Sequence, residues 1–318
     1  MKELYKKYRP KKFSDVIGQP QTVKKLKAMV KKNQVPHTIL FTGPSGCGKT
    51  TLARIVSKKL GCAAIDYEEI NAASKRGVND IRAIESKVEQ APFKGDIRVF
   101  VIDECHKLTG DAQSAAFKLL EDTPEHVYFM LCTTHKEKMD RAIITRSTEL
   151  IVKPLSDSDM FKVINKMIYK ASLKFKNADR LINKIIEASD GSPRQALVIL
   201  NQVKDLETED EMMEAIEEEH VRAAAIDIVR TLVFDDNKSK PIVTWKKVAS
   251  MLSDITKEEV EILRQIALSY ANKILLNPKR PQVVKRAYKV IDEFSDTFFY
   301  SSNAGLSAAC FRIIFNNE

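Results

Sequence analysis

Eight consecutive residues, Gly43-Pro44-Ser45-Gly46-Cys47-Gly48-Lys49-Thr50, restrict this chain more than any other stretch. Thr38-Ile39-Leu40-Phe41 ahead of them reads as a short buried strand, and residues 51–60 behind them carry apolar side chains at helical spacing. Strand, glycine-rich turn and helix is the frame in which backbone N–H groups turn inward around a phosphate. In that frame Lys49 reaches the β- and γ-phosphates and Thr50 offers its hydroxyl to Mg²⁺. Gly43 to Thr50, with Thr51 in the first helical turn, are therefore candidate contacts to a nucleoside triphosphate. An ordinary glycine turn is the competing explanation. It does not account for two correct flanks and an acidic strand end downstream.

The surrounding pattern alternates strands and helices. Residues 1–20 read as extended and lysine-rich, and Pro20 is placed to open a helix carrying Val23, Leu26, Met29 and Val30. Tyr8, Arg9, Pro10 and the pair Val16-Ile17 precede the phosphate loop; such a segment can lie against an adenine ring, or simply pack as an N-terminal arm. Ala63–Tyr67 reads as a second strand, Asn71–Gly77 as a polar loop, and Val78, Ile81, Ile84 and Val88 mark a helix face. Ile97–Ile102 is a near-continuous apolar run ending in Asp103-Glu104, as expected of a central strand buried on both faces. A helix from about 111 to 121, a strand at 127–132 and a last strand at 149–152 complete an α/β domain with a parallel sheet and helices on both faces.

Acids at the carboxyl end of a central strand stand where such sheets place their chemistry. Asp103 is the candidate Mg²⁺ ligand together with Thr50, and Glu104 the candidate base that polarises the attacking water. His106 either hydrogen-bonds near the γ-phosphate or caps the next helix. Thr134, or Thr133 beside it, ends the neighbouring strand and can sense the γ-phosphate. Arg146, in Ile143-Ile144-Thr145-Arg146-Ser147, falls beyond the fourth strand, badly placed for its own nucleotide and suited to a neighbour's. Arg194 opens a helix that can reach back over the nucleotide. Surface salt bridges are the plainer reading of both arginines. Lys75 and Arg76, just before a helix start, are the best local candidates for a nucleic-acid backbone.

The pattern changes at Pro154: three helices are expected between 156 and 204, then helices to the end, with loops near 235–240 and 277–281. Phe294, Phe298, Phe299, Phe311 and Phe315 read as core or subunit contact. At 318 residues, 44% hydrophobic and 30% charged, the composition is that of a soluble multidomain protein without a membrane span. No apolar segment follows the basic N-terminus, so no signal peptide is expected. Five cysteines lack metal-binding spacing and suit a reducing, cytoplasmic setting. The net charge of +9 equals that of residues 1–32 alone, while 205–219 form an acidic block. A basic end of this kind fits a polyanion or is only solvated surface.

Taken in order, the motifs resemble the AAA+ ATPase subunits of DNA polymerase sliding-clamp loaders, the bacterial tau/gamma subunit and the small subunits of replication factor C. The match runs through Tyr8-Arg9-Pro10, Val16-Ile17-Gly18-Gln19, Val35-Pro36-His37, the phosphate loop, Ile102–Thr109, Leu119–Pro124, Cys132-Thr133-Thr134, Arg146 and Gly191–Leu197. The resemblance implies ATP and Mg²⁺ as ligands, with Arg9, Val16 and Ile17 near the adenine. It makes Cys132-Thr133-Thr134 the sensor 1 segment, Arg146 the trans-acting finger, Gly191–Leu197 with Arg194 the sensor 2 segment, and Arg76 a follower of the DNA backbone. It implies an AAA+ domain (1–155), a helical lid (156–205) and a helical collar (206–318) holding a five-subunit ring. That ring would open the clamp on primer–template DNA and release it on hydrolysis.

Departures from the family pattern are informative. Only Cys62 stands where tau/gamma carries a cysteine-rich zinc insertion, so no zinc is expected. Thr145-Arg146-Ser147 keeps the finger arginine but not the usual cysteine after it. A loader subunit without the long tau extension is expected, which suits a bacteriophage or an archaeon as much as a bacterium; the lysine-rich economy tilts toward a large bacteriophage, and a cytoplasmic setting, the host's if phage-encoded, is expected. A Holliday-junction or initiator ATPase of the same class is the nearest alternative, and would carry a winged-helix or helix-turn-helix reader at the C-terminus. A non-hydrolysing stator is the other; it would need none of Lys49, Thr50, Asp103, Glu104 and Arg146.

Overall fold

A computed structural model describes residues 3–234, 241–253, 255–277, 280–298 and 300–315. Its contacts divide the chain into two compact units, Met1–Asp205 and Leu206–Glu318. The loop expected at 235–240, part of that near 277–281, and Phe299 lie outside the described residues.

The first unit begins with a four-residue helix, α1 (Leu4–Lys7), and a 3-10 turn at Phe13–Asp15, in place of the expected extended arm. The helix α2 (Pro20–Lys31) follows with Pro20 at its first position, where its missing N–H costs nothing. Five parallel strands then alternate with helices: β1 (Thr38–Thr42), α3 (Lys49–Lys59), β2 (Tyr67–Asn71), α4 (Val78–Val88), β3 (Arg98–Asp103), α5 (Gly110–Glu121), β4 (Val127–Thr133), α6 (Arg141–Thr145) and β5 (Thr148–Ile151). The order across the sheet is β2-β3-β4-β1-β5, and every neighbouring pair is parallel.

Strand periodicity sorts the helices into two layers. Ile39 and Phe41 on β1, Val99 and Val101 on β3, and Met130 and Cys132 on β4 pack with Val23 and Leu26 of α2 and Leu52, Ile55 and Val56 of α3. The intervening residues, Leu40, Phe100, Ile102, Phe129 and Leu131, pack with Ile81 and Ile84 of α4, Ala116 and Leu120 of α5 and Ile143 of α6. Side chains alternate across a strand, so each central strand serves both cores and must be apolar throughout. The carboxyl ends of β1, β3 and β4 thereby meet along one rim.

The second strand differs from expectation. Ala63–Asp66 form a turn and β2 starts at Tyr67, on the sheet's edge, where Glu68 and Glu69 can stay polar. Asp66 is buried in that turn. Its carboxylate accepts the backbone N–H groups of Phe93 (2.7 Å) and Lys94 (2.8 Å) and faces the guanidinium of Arg98 at 3.3 Å. Arg98, itself buried, also donates to the carbonyls of Lys87 and Ala91. These bonds tie the end of α4, the following loop and β3 into one corner.

Three further helices close the first unit: α7 (Asp157–Lys170), α8 (Ala178–Ser189) and α9 (Pro193–Val203). Ser156 and Ser192 cap α7 and α9 through their hydroxyls. The turn between α8 and α9 needs two left-handed residues, Asp190 and Gly191. At Gly191 a Cβ would lie 2.7 Å from Pro154 Cβ, while its carbonyl accepts the N–H of Leu155 at 2.9 Å. The helical group is therefore latched directly to the strand exit at 152–155.

The second unit is helical among the described residues: α10 (Glu209–Phe234), α11 (Pro241–Leu252), α12 (Val260–Leu275), α13 (Pro281–Glu293) and α14 (Ser302–Phe315). The acidic block forms the first turns of α10, where carboxylates complement the helix dipole. Phe294 and Phe298 are core residues, whereas Phe311 stacks on Phe315 and meets Trp245 edge-on at the surface.

Replacing Asp66 by Ala strands Arg98 in the core and is expected to cost about 3–5 kcal/mol, measured by urea unfolding. A loss below about 1 kcal/mol would show that the corner carries no such weight.

Candidate nucleotide site

The loop between β1 and α3 is shaped by close backbone approach. A Cβ on Gly43 would sit 1.9 Å from the carbonyl oxygen of Val152, and one on Gly46 would sit 2.1 Å from Ser192 Oγ. Both glycines also have positive φ, 142° and 77°. The loop is thus wedged between the exit of β5 and the cap of α9. Lys49, 6% exposed, donates through Nζ to the carbonyls of Gly43 (2.7 Å) and Pro44 (2.8 Å), and burial lowers its pKa. Thr50 donates from its hydroxyl to Asp103 Oδ2 at 3.0 Å. Burial, opposed by this bond, raises the pKa of Asp103.

Glu104 follows in the left-handed region, φ 54°, held by its own N–H donating to Asp103 Oδ1 at 3.0 Å. Such strain in a non-glycine residue is retained where a side chain must be aimed. Its carboxylate lies 3.5 Å from both His106 Nε2 and Lys107 Nζ. His106 Nδ1 in turn is 3.0 Å from Thr133 Oγ1, which accepts the N–H of His135 at 3.0 Å. The Thr133 hydroxyl proton is then free to point at Nδ1, which leaves His106 as the Nε2–H tautomer facing Glu104. Thr133 is fully buried, in register with Thr42 of β1. The hydroxyl in this bonded chain is Thr133's; half-buried Thr134 stands outside it.

Lys49, Thr50, Asp103 and Glu104 open on a cavity of about 400 Å³ in the first unit, of a size suited to a nucleotide, while His106 and Thr133 stand behind its lining. Arg9, Val16, Ile17, Ser45 to Thr51, Asp103, Glu104 and Arg194 all line it. Gly43 and Pro44 are set behind, where their carbonyls hold Lys49. Arg9 is partly buried there, which lowers its pKa, with Arg54 and Arg194 nearby. Arg194 lies over the ring of Tyr5, 5.0 Å from its centroid, and Tyr8 donates its hydroxyl to the carbonyl of Lys170 at 3.1 Å. The N-terminal segment thus packs on the three-helix group and lines the cavity together with the phosphate loop.

Besides Thr134 and the residues already placed behind the cavity, three predicted residues sit outside its lining. Arg146, at the end of α6, is half-exposed and bonds Glu121 at 2.6 Å on the surface, outside the cavity lining. Lys75 and Arg76 are exposed ahead of α4, where Asp80 already accepts the N–H of Gly77. Sequence reasoning missed Tyr5 and, on α7, Lys166, Met167 and Lys170, which also line the cavity. Their only sequence signal was the helical spacing of one face, which says nothing about what that face meets.

The loop, the paired Thr50 and Asp103, and the strand-end Glu104 sit on a five-stranded parallel sheet with the AAA+ fold. Residues 39–155 match the family described as "ATPase family associated with various cellular activities (AAA)". More particularly, the chain is similar to DNA polymerase III gamma/tau subunits. It is 34% identical over 222 residues to that of Mycoplasma pneumoniae, covering 64% of this chain and 32% of the relative. It is 34% identical over 220 residues to the tau subunit of Bacillus subtilis, covering 63% and 39%. The chain thus spans about a third of the length of these relatives. Among solved structures, the Thermotoga maritima RuvB Holliday junction branch migration motor shares the fold, with a TM-score of 0.55 and 20% identity over 90% of this chain and 98% of that one.

One consequence concerns pH. Burial, helped by His135, Lys107 and Lys138 and opposed by Glu137, pushes His106 down to about 4 from an ordinary 6.5. Above pH 6.5 neither folded nor unfolded chain protonates it; below, the unfolded chain does so first, and stability falls toward pH 4. Between pH 7.5 and 5.0 the native chain is expected to lose about 2 kcal/mol more than His106→Gln, by urea titration. Equal losses in the two proteins would contradict a buried neutral imidazole.

Proposed function

We propose that this chain is an ATP-driven subunit of a sliding-clamp loader, opening the replicative clamp, placing it on primer–template DNA and releasing it on ATP hydrolysis. One observation carries the reading: phosphate loop, Thr50–Asp103 pair and Glu104 converge on one cavity in a chain similar to gamma/tau subunits. The glycine cradle, the buried ammonium of Lys49 and the Thr50–Asp103 pair are the groups a triphosphate and its Mg²⁺ require. Thr50 and Asp103 would hold that ion, which neutralises charge on the β- and γ-phosphates. Lys49 gives up its loop carbonyls for phosphate oxygens. Glu104 orients the water and takes its proton as oxygen bonds to the γ-phosphorus and the bond to the β-phosphate oxygen breaks, yielding ADP and phosphate. Arg9, Val16 and Ile17 would hold the adenosine end, and Arg194 would couple the γ-phosphate to the lid, 156–205.

Arg146 would act on a neighbour's nucleotide. Its half-exposed guanidinium, held by the surface carboxylate of Glu121 and lying 6.0 Å from the ring centroid of Phe117, is available to another subunit. In this reading residues 206–318 form the collar of a five-subunit ring, Lys75 and Arg76 follow the DNA backbone, and the protein works in the cytoplasm. Thr133, through His106, is better connected to Glu104 than Thr134 as a γ-phosphate sensor.

Three substitutions separate the roles. Lys49→Ala should weaken ATP binding at least about tenfold. Glu104→Gln should bind ATP normally and lose about 10²-fold or more in turnover. Arg146→Ala should keep ATP affinity and lose about 10³-fold in the assembled ring; an unchanged ring ATPase would exclude the trans role. The function itself is tested by steady-state ATPase of the chain with companion subunits, primer–template DNA and clamp. Synergistic stimulation is expected. Stimulation by four-way junctions with indifference to any clamp would replace the loader with a branch-migration type of motor, and no turnover in the full ring would make the chain a stator.

A further inference from the structure

From Val16 to Ile65 the chain contains no Asp or Glu, although at its average composition about six or seven are expected. The same stretch holds eight lysines and one arginine. Two of these cations have partners: Lys49 holds the phosphate loop and Arg54 forks onto Glu69 of β2 at 2.7 and 2.8 Å. The other seven lysines are exposed and have no ion-pair partner among the described residues.

Their placement is one-sided. On α2 the buried residues are Thr22, Val23 and Leu26, and Lys24, Lys25, Lys27 and Lys31 occupy the opposite half, continued by Lys32. The helix α3 packs beside α2 in the same layer and adds Lys58 and Lys59 at its outer end. Lysines in a last helical turn complement the dipole, which gives Lys31, Lys58 and Lys59 an ordinary structural role. Lys24, Lys25 and Lys27 have none. Lys24 and Lys25 sit in the N-terminal half of a helix whose first turn lacks any acid, Lys27 lies just past its middle, and Lys24–Lys27 and Lys27–Lys31 are like-charge neighbours at helical spacing. The helix is less stable for carrying them.

We propose that this outer face of α2 and α3 is a second nucleic-acid surface, one that holds the phosphate backbone of duplex DNA by charge alone. The choice of DNA rests on the clamp-loader reading above. The face lies across the sheet from α4, so it is separate from Lys75 and Arg76. It offers ammonium point charges without aromatic platforms or paired arginines, which suits backbone contact rather than base reading. The exposed uncharged residues of α2 are Pro20, Gln21 and Ala28, so no bulky apolar side chain is offered for insertion into a lipid surface. Contacts here would hold the duplex on the outside of the subunit, independent of nucleotide.

The test compares the full chain with Lys24→Gln/Lys25→Gln/Lys27→Gln and with Lys75→Gln/Arg76→Gln. Binding of a labelled mixed-sequence duplex is followed by anisotropy between about 50 and 200 mM salt, with and without ATP. The triple variant should keep native ATP affinity, which reports its folding, while its log–log salt slope becomes shallower by about 2 to 3, equally with and without ATP. The Lys75/Arg76 variant should retain the component that the triple variant loses. An unchanged slope in the triple variant overturns the proposal, and so does a native chain that holds anionic phosphatidylserine vesicles but not the duplex. The loader reading fails separately: if primed DNA and clamp leave the ring ATPase unstimulated while the triple variant still loses its slope, that reading falls and this surface stands.

Discussion

The first unit depends on the contact between the start of the phosphate loop and the exit of β5. Thr42 accepts the N–H of Val152 at 2.7 Å, and Gly43 lies so close to the Val152 carbonyl that no side chain fits between. Three residues on, Leu155 donates to Gly191 in the turn that positions Ser192 and Arg194. Ser192 then meets the loop again at Gly46. The chain closes a circuit: phosphate loop, strand exit, lid turn, phosphate loop. Because its links are backbone hydrogen bonds and close approaches, the last of them to the Ser192 hydroxyl, a ligand that widens or tightens the loop would be felt at α9. The N-terminal segment adds a second strap, through Tyr5 under Arg194 and Tyr8 on the carbonyl of Lys170.

Against this rigid frame the chemistry is carried by few atoms. Thr50 and Asp103 are paired, Lys49 is satisfied by loop carbonyls, and Glu104 is aimed by a strained backbone with His106 and Lys107 beside its carboxylate. Each group has a partner that a phosphate, a metal ion or a water can replace. That exchange avoids leaving a buried charge unpaired at any stage. It explains how an ammonium as buried as Lys49 is tolerated.

What could be read from the sequence was whatever a local rule dictates. Glycines at fixed spacing, the apolar run of β3 ending in Asp103-Glu104, and the three helices after Pro154 each follow from short-range geometry. The readings that missed were decided by distant contacts. Ala63–Ile65 looks like a strand by composition, yet Ile65 is exposed, and the true edge strand hides its character behind Glu68 and Glu69, which bond Lys87 and Arg54. The helix α1 has four residues and no pattern of its own; Tyr5 and Tyr8 hold it against the three-helix group. Lys166, Met167 and Lys170 line the cavity because the three-helix group is held beside the phosphate loop at Gly191 and Ser192, and nothing within α7 encodes that. Of two adjacent threonines, the bonded one is Thr133, a matter of strand register rather than of motif.

The most direct measurement is hydrogen exchange of the Glu104→Gln chain with and without MgATP. If phosphate loop and lid turn are one closed circuit, backbone amides in 43–50 and in 153–156 and 190–197 should gain protection together. Protection confined to 43–50, with the lid turn exchanging as before, would contradict that coupling.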